Sequence, residues 1–363
     1  MNNLKERTIS LVVTERCNLN CIYCYEHHKT TEEMTFSTAK KIIDKELRNA
    51  NKEKVYLDFF GGEPFLNFSL IQEVYEYVKS FNKKPIRFFA TTNGTLIHDD
   101  LQRWLIERRK DFTVGLSLDG TRHAHNINRS NSYDDIDLDF FLKYYPQQGV
   151  KMTVSAASLP FLAESVIDLS EKGFEVNCNL AYMVDWLSPE YAPLLERELE
   201  TLITYYVAHP HIHRCTMLDF NIGIISRPVR NPHIVKKFCG TGTSMKCYDT
   251  KGECYPCQLF IPLSAEERAV KYEDAPFKEE FSIEYYKPKC RTCMYLPLCP
   301  ICLGSNYIST GDFYTVDDAR CNLYQNIFRA NAKLKALLWN QGALTFHNDE
   351  EQALLRAISQ ILN

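Results

Sequence analysis

The sequence predicts an α/β protein: a partial (β/α)6, TIM-like barrel of parallel strands, followed by a cysteine-rich segment and C-terminal helices. Three observations lead there. Strand-like and helix-like runs alternate strictly from residue 8 to about residue 208; the connections between them are short; and near residue 210 the pattern gives way to turn-rich, cysteine-rich sequence. Strict βα alternation needs crossover connections, which pair strands in parallel and put helices outside. At 363 residues the chain exceeds the roughly 250–300 residues one core usually holds. Three segments are therefore expected: a barrel at 1–210, a cysteine-rich domain at 211–330 and a helical tail at 331–363.

The strand runs are TISLVVT (8–14), VYLDFF (55–60), IRFFATT (86–92), FTVGLSLD (112–119), VKMTVSAAS (150–158) and EVNCNLAYM (175–183). They are rich in β-branched and aromatic residues, which suit a pleated surface. Helical periodicity fills 35–50, 68–81, 98–110, 134–145, 160–172 and 188–208, and returns across 320–361. Thr35 or Ser37 is expected to cap the first helix, and Asn67 or Ser69 the second. Short polar side chains there accept first-turn N–H groups. In such a barrel the chemistry belongs at the C-terminal ends of the strands.

Composition narrows the classes. A formal net charge of -4 offers no basic surface for nucleic acid. No stretch approaches the ~20 apolar residues of a membrane span. The start MNNLKERTISLVV has no signal-peptide core, so a cytoplasmic protein without a membrane partner is expected. Fourteen cysteines are then conspicuous, because reduced cysteines in such numbers are more often metal ligands than disulfides. Three lie at 17–24, Cys178 and Cys215 stand alone, and nine crowd into 239–321.

Four polar motifs follow successive strands: Cys17–Cys24, GGEP (61–64), TNG (92–94) and SLDG (117–120). Taken alone, C-x3-C-x2-C fits a zinc site completed by His27 or His28, and a zinc-binding scaffold without catalysis is one alternative. Adjacent glycines beside Glu63, however, allow close backbone approach and an acceptor for a cation such as an amino group.

C-x3-C-x2-C with an aromatic before its last cysteine, followed by GGEP, resembles the radical S-adenosylmethionine (radical SAM) enzymes. The resemblance covers roughly residues 7–210. It implies that Cys17, Cys21 and Cys24 hold a [4Fe–4S] cluster whose fourth iron chelates S-adenosylmethionine. Reductive cleavage of that cofactor would release a 5′-deoxyadenosyl radical, which abstracts hydrogen from the substrate. Tyr23 would lie against the adenine. Gly61, Gly62, Glu63 and Pro64 would receive the methionine amino group, and Thr92, Asn93 and Ser117 are candidates for ribose and carboxylate contacts.

The second field contains CRTCMYLPLCPICLG, which alone could be a zinc ribbon, and upstream CGTGTSMKC and GECYPC. After such a barrel it resembles a SPASM domain with two auxiliary [4Fe–4S] clusters, three clusters in all. The resemblance implies Cys239, Cys247, Cys257 and Cys302 for the first, and Cys290, Cys293, Cys299 and Cys321 for the second. Cys254 is left over, and CPIC is tighter than the family's usual spacing. Cys178 and Cys215 read as small buried apolar residues.

Enzymes with this pair of domains mostly modify peptides or proteins, with an external electron donor such as flavodoxin or ferredoxin. Anaerobic sulfatase-maturating enzymes are similar in length, in SLDG…His125…Arg129 and in cluster count. That group has an aspartate base directly after the Tyr-Pro-Cys cysteine; here the residue is Gln258, whose amide is not basic. Maturation of a ribosomally made peptide is therefore the leading expectation, and sulfatase maturation the alternative. With a first strand near residue 8, a leader-binding protein would be separate. His123 and His125 suit a substrate cavity or a structural role equally. His211, His213 and the tyrosine pairs at 144–145, 205–206 and 285–286 read as surface or packing, and DDIDLD (134–139) as a solvated helix start.

Overall fold

All six expected strand runs form strands, in most of which buried residues alternate with half-buried or exposed ones, so that one face of each packs into the core. The computed structural model describes residues 5–47, 53–81, 86–227, 231–346 and 349–363. The strands are β1 (Lys5–Thr14), β2 (Glu53–Gly61), β3 (Ile86–Thr92), β4 (Phe112–Leu116), β5 (Val150–Val154), β6 (Val176–Leu180), β7 (Ile234–Lys236), β8 (Met245–Tyr248), β9 (Cys254–Tyr255) and β10 (Glu280–Ser282). The first seven helices are α1 (Phe36–Leu47), α2 (Phe68–Phe81), α3 (Asp99–Arg108), α4 (Arg122–Asn128), α5 (Leu138–Tyr144), α6 (Leu162–Glu171) and α7 (Tyr191–Ala208). They are followed by α8 (Pro262–Ala265), α9 (Pro288–Arg291), α10 (Leu303–Thr310), α11 (Asp318–Asn340) and α12 (Glu350–Leu362).

The boundaries depart from expectation for local reasons. Strand β5 stops at Val154 because Ser155 and Ser158 each accept the other's backbone N–H, which turns the chain. The helix expected at 134–145 begins only at Leu138, where Asp137 accepts the Phe140 N–H; a 3-10 turn occupies Tyr133–Asp135. Thr35 caps α1 as expected, accepting the Thr38 N–H. Asn67 does other work, its amide donating to the Val13 carbonyl at 2.9 Å. The predicted end of the first helix, 48–50, lies outside the described residues.

The chain forms two compact, discontinuous units: Met1–Ser117, Arg129–Gln148 and Cys239–Glu279 in one; Leu118–Asn128, Gly149–Phe238 and Glu280–Asn363 in the other. The first carries a sheet of order β4-β3-β2-β1-β8-β9, parallel except for the β8–β9 hairpin. Its register aligns Thr14 with Gly61 and Thr92 with Leu116, so the ends of these strands form one rim. Beneath that rim Phe59, Phe88 and Phe112 stack with centroids 5.8–6.3 Å apart. The second unit holds the parallel pair β5-β6, the antiparallel pair β7-β10, and helices including α6, α7, α11 and α12. Its buried Asn331 donates to the Met217 carbonyl and accepts the Phe220 N–H, which fixes α11.

Candidate functional site

The three N-terminal thiols lie on one excursion of the chain from β1. Its base is closed where Glu15 N–H meets Glu32 O and Met34 N–H meets Val13 O. Inside, Leu19 N–H points at Cys17 Sγ (3.5 Å), Cys24 N–H bonds Cys21 O, and Lys29 Nζ lies 3.3 Å from Cys24 Sγ. Burial pushes the Cys17 thiol up to about 11, against the Leu19 N–H and the charge of Lys29. Near neutral pH such a thiol stays protonated unless a metal ion displaces the proton.

The double glycine is explained by packing. A Cβ at Gly61 would overlap the Thr14 carbonyl, and one at Gly62 the Arg16 carbonyl, with Cys17 Cβ 2.9 Å away. The end of β2 thus runs directly against the root of the cysteine excursion, and Gly62 and Glu63 N–H groups bond Thr14 O and Arg16 O. Glu63 is 1% exposed. One of its oxygens accepts from Thr92 Oγ1 (2.8 Å) and Phe65 N–H, the other from Asn93 N–H (2.8 Å). Burial raises its carboxyl to about 7, opposed by those donors and by the nearby Arg129 guanidinium. Three donors leave a carboxylate room for about one more.

Asn93 extends the lattice. Its amide donates to Asn18 Oδ1 at 2.9 Å, while its oxygen accepts from Thr95. Asn18 in turn donates to Thr95 Oγ1. Ser117 is buried, and its N–H bonds Thr92 O. Tyr23 faces the Arg129 guanidinium at 5.3 Å, and Asn20 N–H bonds Ser130 Oγ. Cys17, Cys21, Cys24, Tyr23, Gly61, Gly62, Glu63, Pro64, Thr92, Asn93 and Ser117 therefore share one unit and one rim. Sequence reasoning missed Asn18, Thr95 and Ser130. It met Arg129 only as the end of a motif. Beside Asn18 opens an acidic groove of about 540 Å³, lined by Thr95, His98, Asp134, Asp135 and Asp137.

The histidines have other roles. His28 N–H bonds Leu263 O, and its ring lies 3.6 Å from Glu266. His125 is fully buried, accepting the Asp119 N–H on Nδ1 at 3.3 Å. Asp119 itself accepts from Thr153 N–H and the Asn128 amide. That network holds α4 to β5, so His125 serves structure. Among the described residues, no three His, Cys, Asp or Glu side chains converge as they would on a single ion.

In the second unit Cys290, Cys293, Cys299 and Cys321 lie within one another's electrostatic reach. Burial raises Cys299 to about 12; the Cys321, Cys293 and Cys290 thiols push the same way, and Arg320 opposes them. Four mutually repelling, half-buried thiols with no disulfide are a donor set that fits a cluster. Cys239, Cys247 and Cys257 belong to the first unit, and Cys302 to the second. Burial and the neighbouring Cys257 raise Cys247. Cys254 pairs across from Tyr248, so it lies on the opposite face of the hairpin from Cys247. Gln258 keeps its side-chain oxygen buried without a hydrogen bond. Cys178 and Cys215 are buried beside each other, as expected of small apolar residues. Among the described residues no helix is long and apolar enough to cross a membrane.

Comparison with known proteins adds independent findings. The profile of the radical SAM superfamily matches residues 11–137. An uncharacterised protein of Methanocaldococcus jannaschii is 36% identical over 43% of this chain and 56% of its own length. Radical SAM cyclopropyl synthase TigE of Paramaledivibacter caminithermalis is 30% identical over 89% of this chain and 73% of its own. A cysteine-type anaerobic sulfatase-maturating enzyme of Clostridium perfringens is 23% identical over 78% of this chain and 84% of its own. Among solved structures, native anSMEcpe with bound AdoMet and Cp18Cys peptide superposes with a TM-score of 0.70 at 21% identity, covering 93% of this chain and 99% of that one. Streptococcus suis SuiB bound to precursor peptide SuiA gives 0.54 at 16%, covering 87% and 76%.

Proposed function

Because this chain belongs to the radical SAM superfamily, and so is an enzyme using a [4Fe–4S] cluster and S-adenosylmethionine, we propose that it matures a peptide, most specifically a ribosomally made one. Family membership leaves the zinc-scaffold alternative without support. The cluster, when bound, supplies the electron that splits the sulfonium and yields the hydrogen-abstracting 5′-deoxyadenosyl radical.

In this reading Cys17, Cys21 and Cys24 hold the cluster and supply no fourth ligand. The close approach of Gly61 and Gly62 to the excursion brings backbone and the last free acceptor of Glu63 toward the methionine amino group. Glu63 also fixes Thr92 and Asn93 for the ribose and carboxylate, with Ser117 behind Thr92. Tyr23 supplies an aromatic face for the adenine. Arg129, buried beside Tyr23 and felt by Glu63, is the cation that suits the methionine carboxylate, since a guanidinium pairs a carboxylate in plane. Cys290, Cys293, Cys299 and Cys321 hold one auxiliary cluster, and Cys239, Cys247 and Cys257 contribute to a second. An external donor such as flavodoxin or ferredoxin delivers electrons, and a separate protein can present the precursor's leader.

The observation that carries peptide over sulfatase maturation is Gln258. A side chain that cannot take a proton stands directly after Cys257, with its oxygen buried and unbonded. The greater identity to the cyclopropyl synthase than to the sulfatase-maturating enzyme supports the same choice. Incubating the reconstituted, reduced enzyme with S-adenosylmethionine and a sulfatase-type Cys/Ser-x-Pro-x-Arg peptide tests it by mass spectrometry. The expected result is release of 5′-deoxyadenosine without formylglycine. Formylglycine in the peptide contradicts the choice.

A further inference from the structure

Arg320 lies in the first turn of α11, directly before Cys321. Its guanidinium lies 4.0 Å from the Tyr182 ring centroid and 5.7 Å from that of Tyr324. Nη2 is buried without a hydrogen bond. Among the described residues no carboxylate forms an ion pair with it. A guanidinium cannot shed its proton, and this half-buried one, with Nη2 enclosed, favours an anion beside it. Its hydrogen-bonding neighbours are the neutral hydroxyls of Tyr182 and Tyr324, neither of which offsets its charge. The three aspartates of the adjoining cavity of about 690 Å³ are engaged elsewhere. Asp317 accepts the Ala319 N–H, Asp185 the Leu187 N–H, and Asp318 pairs with Lys289.

The groups at hand that would become anionic, as ligands of a cluster, are thiols. Arg320 adjoins Cys321 in the chain and acts electrostatically on Cys299, two of the four thiols grouped in this unit; Cys302, outside that group, acts on it as well. We propose that Arg320 is the counter-charge of the auxiliary cluster held by Cys290, Cys293, Cys299 and Cys321, a positioning residue that raises that cluster's reduction potential. This rests on the auxiliary-cluster reading above. Four thiolates around a [4Fe–4S] core give an anion whose charge grows by one on reduction, so a fixed cation favours the reduced form. The Tyr182 stack holds the guanidinium in place where a flexible lysine would wander. Lys287 and Lys289, near Cys290, carry the same sign. Lys289 already pairs with Asp318 and is half exposed, so solvent screens it.

The test is an EPR-monitored redox titration of reconstituted protein carrying Cys17→Ala, Cys21→Ala and Cys24→Ala, which leaves auxiliary signals alone. Arg320→Gln should keep the iron and sulfide content of its parent. It should lower the reduced-to-oxidised ratio of one auxiliary cluster about tenfold at a given potential, a shift of about 59 mV for one electron. Arg320→Lys should recover most of the shift, and Lys289→Gln should barely move it. An unchanged potential in Arg320→Gln at full iron content overturns the inference. If Arg320→Gln loses iron, the lysine variant decides: a potential as low as that of a neutral side chain overturns it, and a near-parental potential supports it. Parent protein without auxiliary iron would instead bring down the cluster reading itself.

Discussion

The two thiol groups of this molecule are built on opposite principles. Cys17, Cys21 and Cys24 sit on a single excursion whose root is clamped by Gly62, Glu63 and Asn93. Cys290, Cys293, Cys299 and Cys321 come from two separated stretches and number four. In the first group the polar lattice faces the rim and supplies acceptors, donors and an arginine around three thiols. In the second, the neighbours are one another, aromatic rings such as Tyr286, and the half-buried Arg320. A site meant to exchange a ligand keeps a position open and polar; one meant to store or pass electrons closes its coordination.

The sharpest way to break that contrast is to remove one thiol from each group. Cys21→Ala should abolish release of 5′-deoxyadenosine, whereas Cys299→Ala should cost about four of roughly 12 iron atoms and leave cleavage of S-adenosylmethionine measurable. Equal loss in both variants would erase the distinction. Next in size is Gly62→Ala. Its Cβ collides with the Arg16 carbonyl, so cofactor cleavage should fall by about 10–100-fold with auxiliary iron intact. Glu63→Gln should weaken S-adenosylmethionine binding by about tenfold, as isothermal titration can read, because an amide cannot hold the three donors of Thr92, Asn93 and Phe65 equally.

The smallest effect concerns the sheet beneath the first group. Buried Glu46 accepts from Tyr248 and pairs with Arg7 and Lys246. Burial alone would raise its carboxyl, but the Tyr248 and Lys246 hydrogen bonds and the charges of Lys246 and Arg7 hold it below the ordinary value. An acid depressed in this way stabilises the fold above its ordinary value and loses that contribution as pH falls through the depressed one. Wild type should therefore be more stable than Glu46→Gln by about 2–3 kcal/mol near neutrality. The difference should persist down to about pH 4.5 and close below it. A difference independent of pH in thermal melts would contradict this.

The motifs were legible in sequence where they are local. Cysteine spacing, GGEP and the strand runs need only neighbouring residues, and they fall on the rim the alternation foretold. What stayed hidden depends on register. Glu63 meets Thr92 and Asn93 only because β2 and β3 end level. Asn18 meets Asn93 only because the excursion returns across β3. The β8–β9 hairpin pairs with β1 although more than 200 residues of chain intervene, and no local pattern announces that. Residues 129–148 return to the first unit for the same reason. The stacking of Arg320 on Tyr182 and the enclosure of its Nη2 are visible only in three dimensions.

The contrast between an open and a closed thiol group is tested most directly by EPR of the reduced protein with and without S-adenosylmethionine. The measurement is made on wild type and on the variant carrying Cys17→Ala, Cys21→Ala and Cys24→Ala. The cofactor should change the wild-type spectrum and leave that of the triple variant untouched. A cofactor-dependent change that survives in the triple variant would contradict the assignment of the open site to the N-terminal excursion.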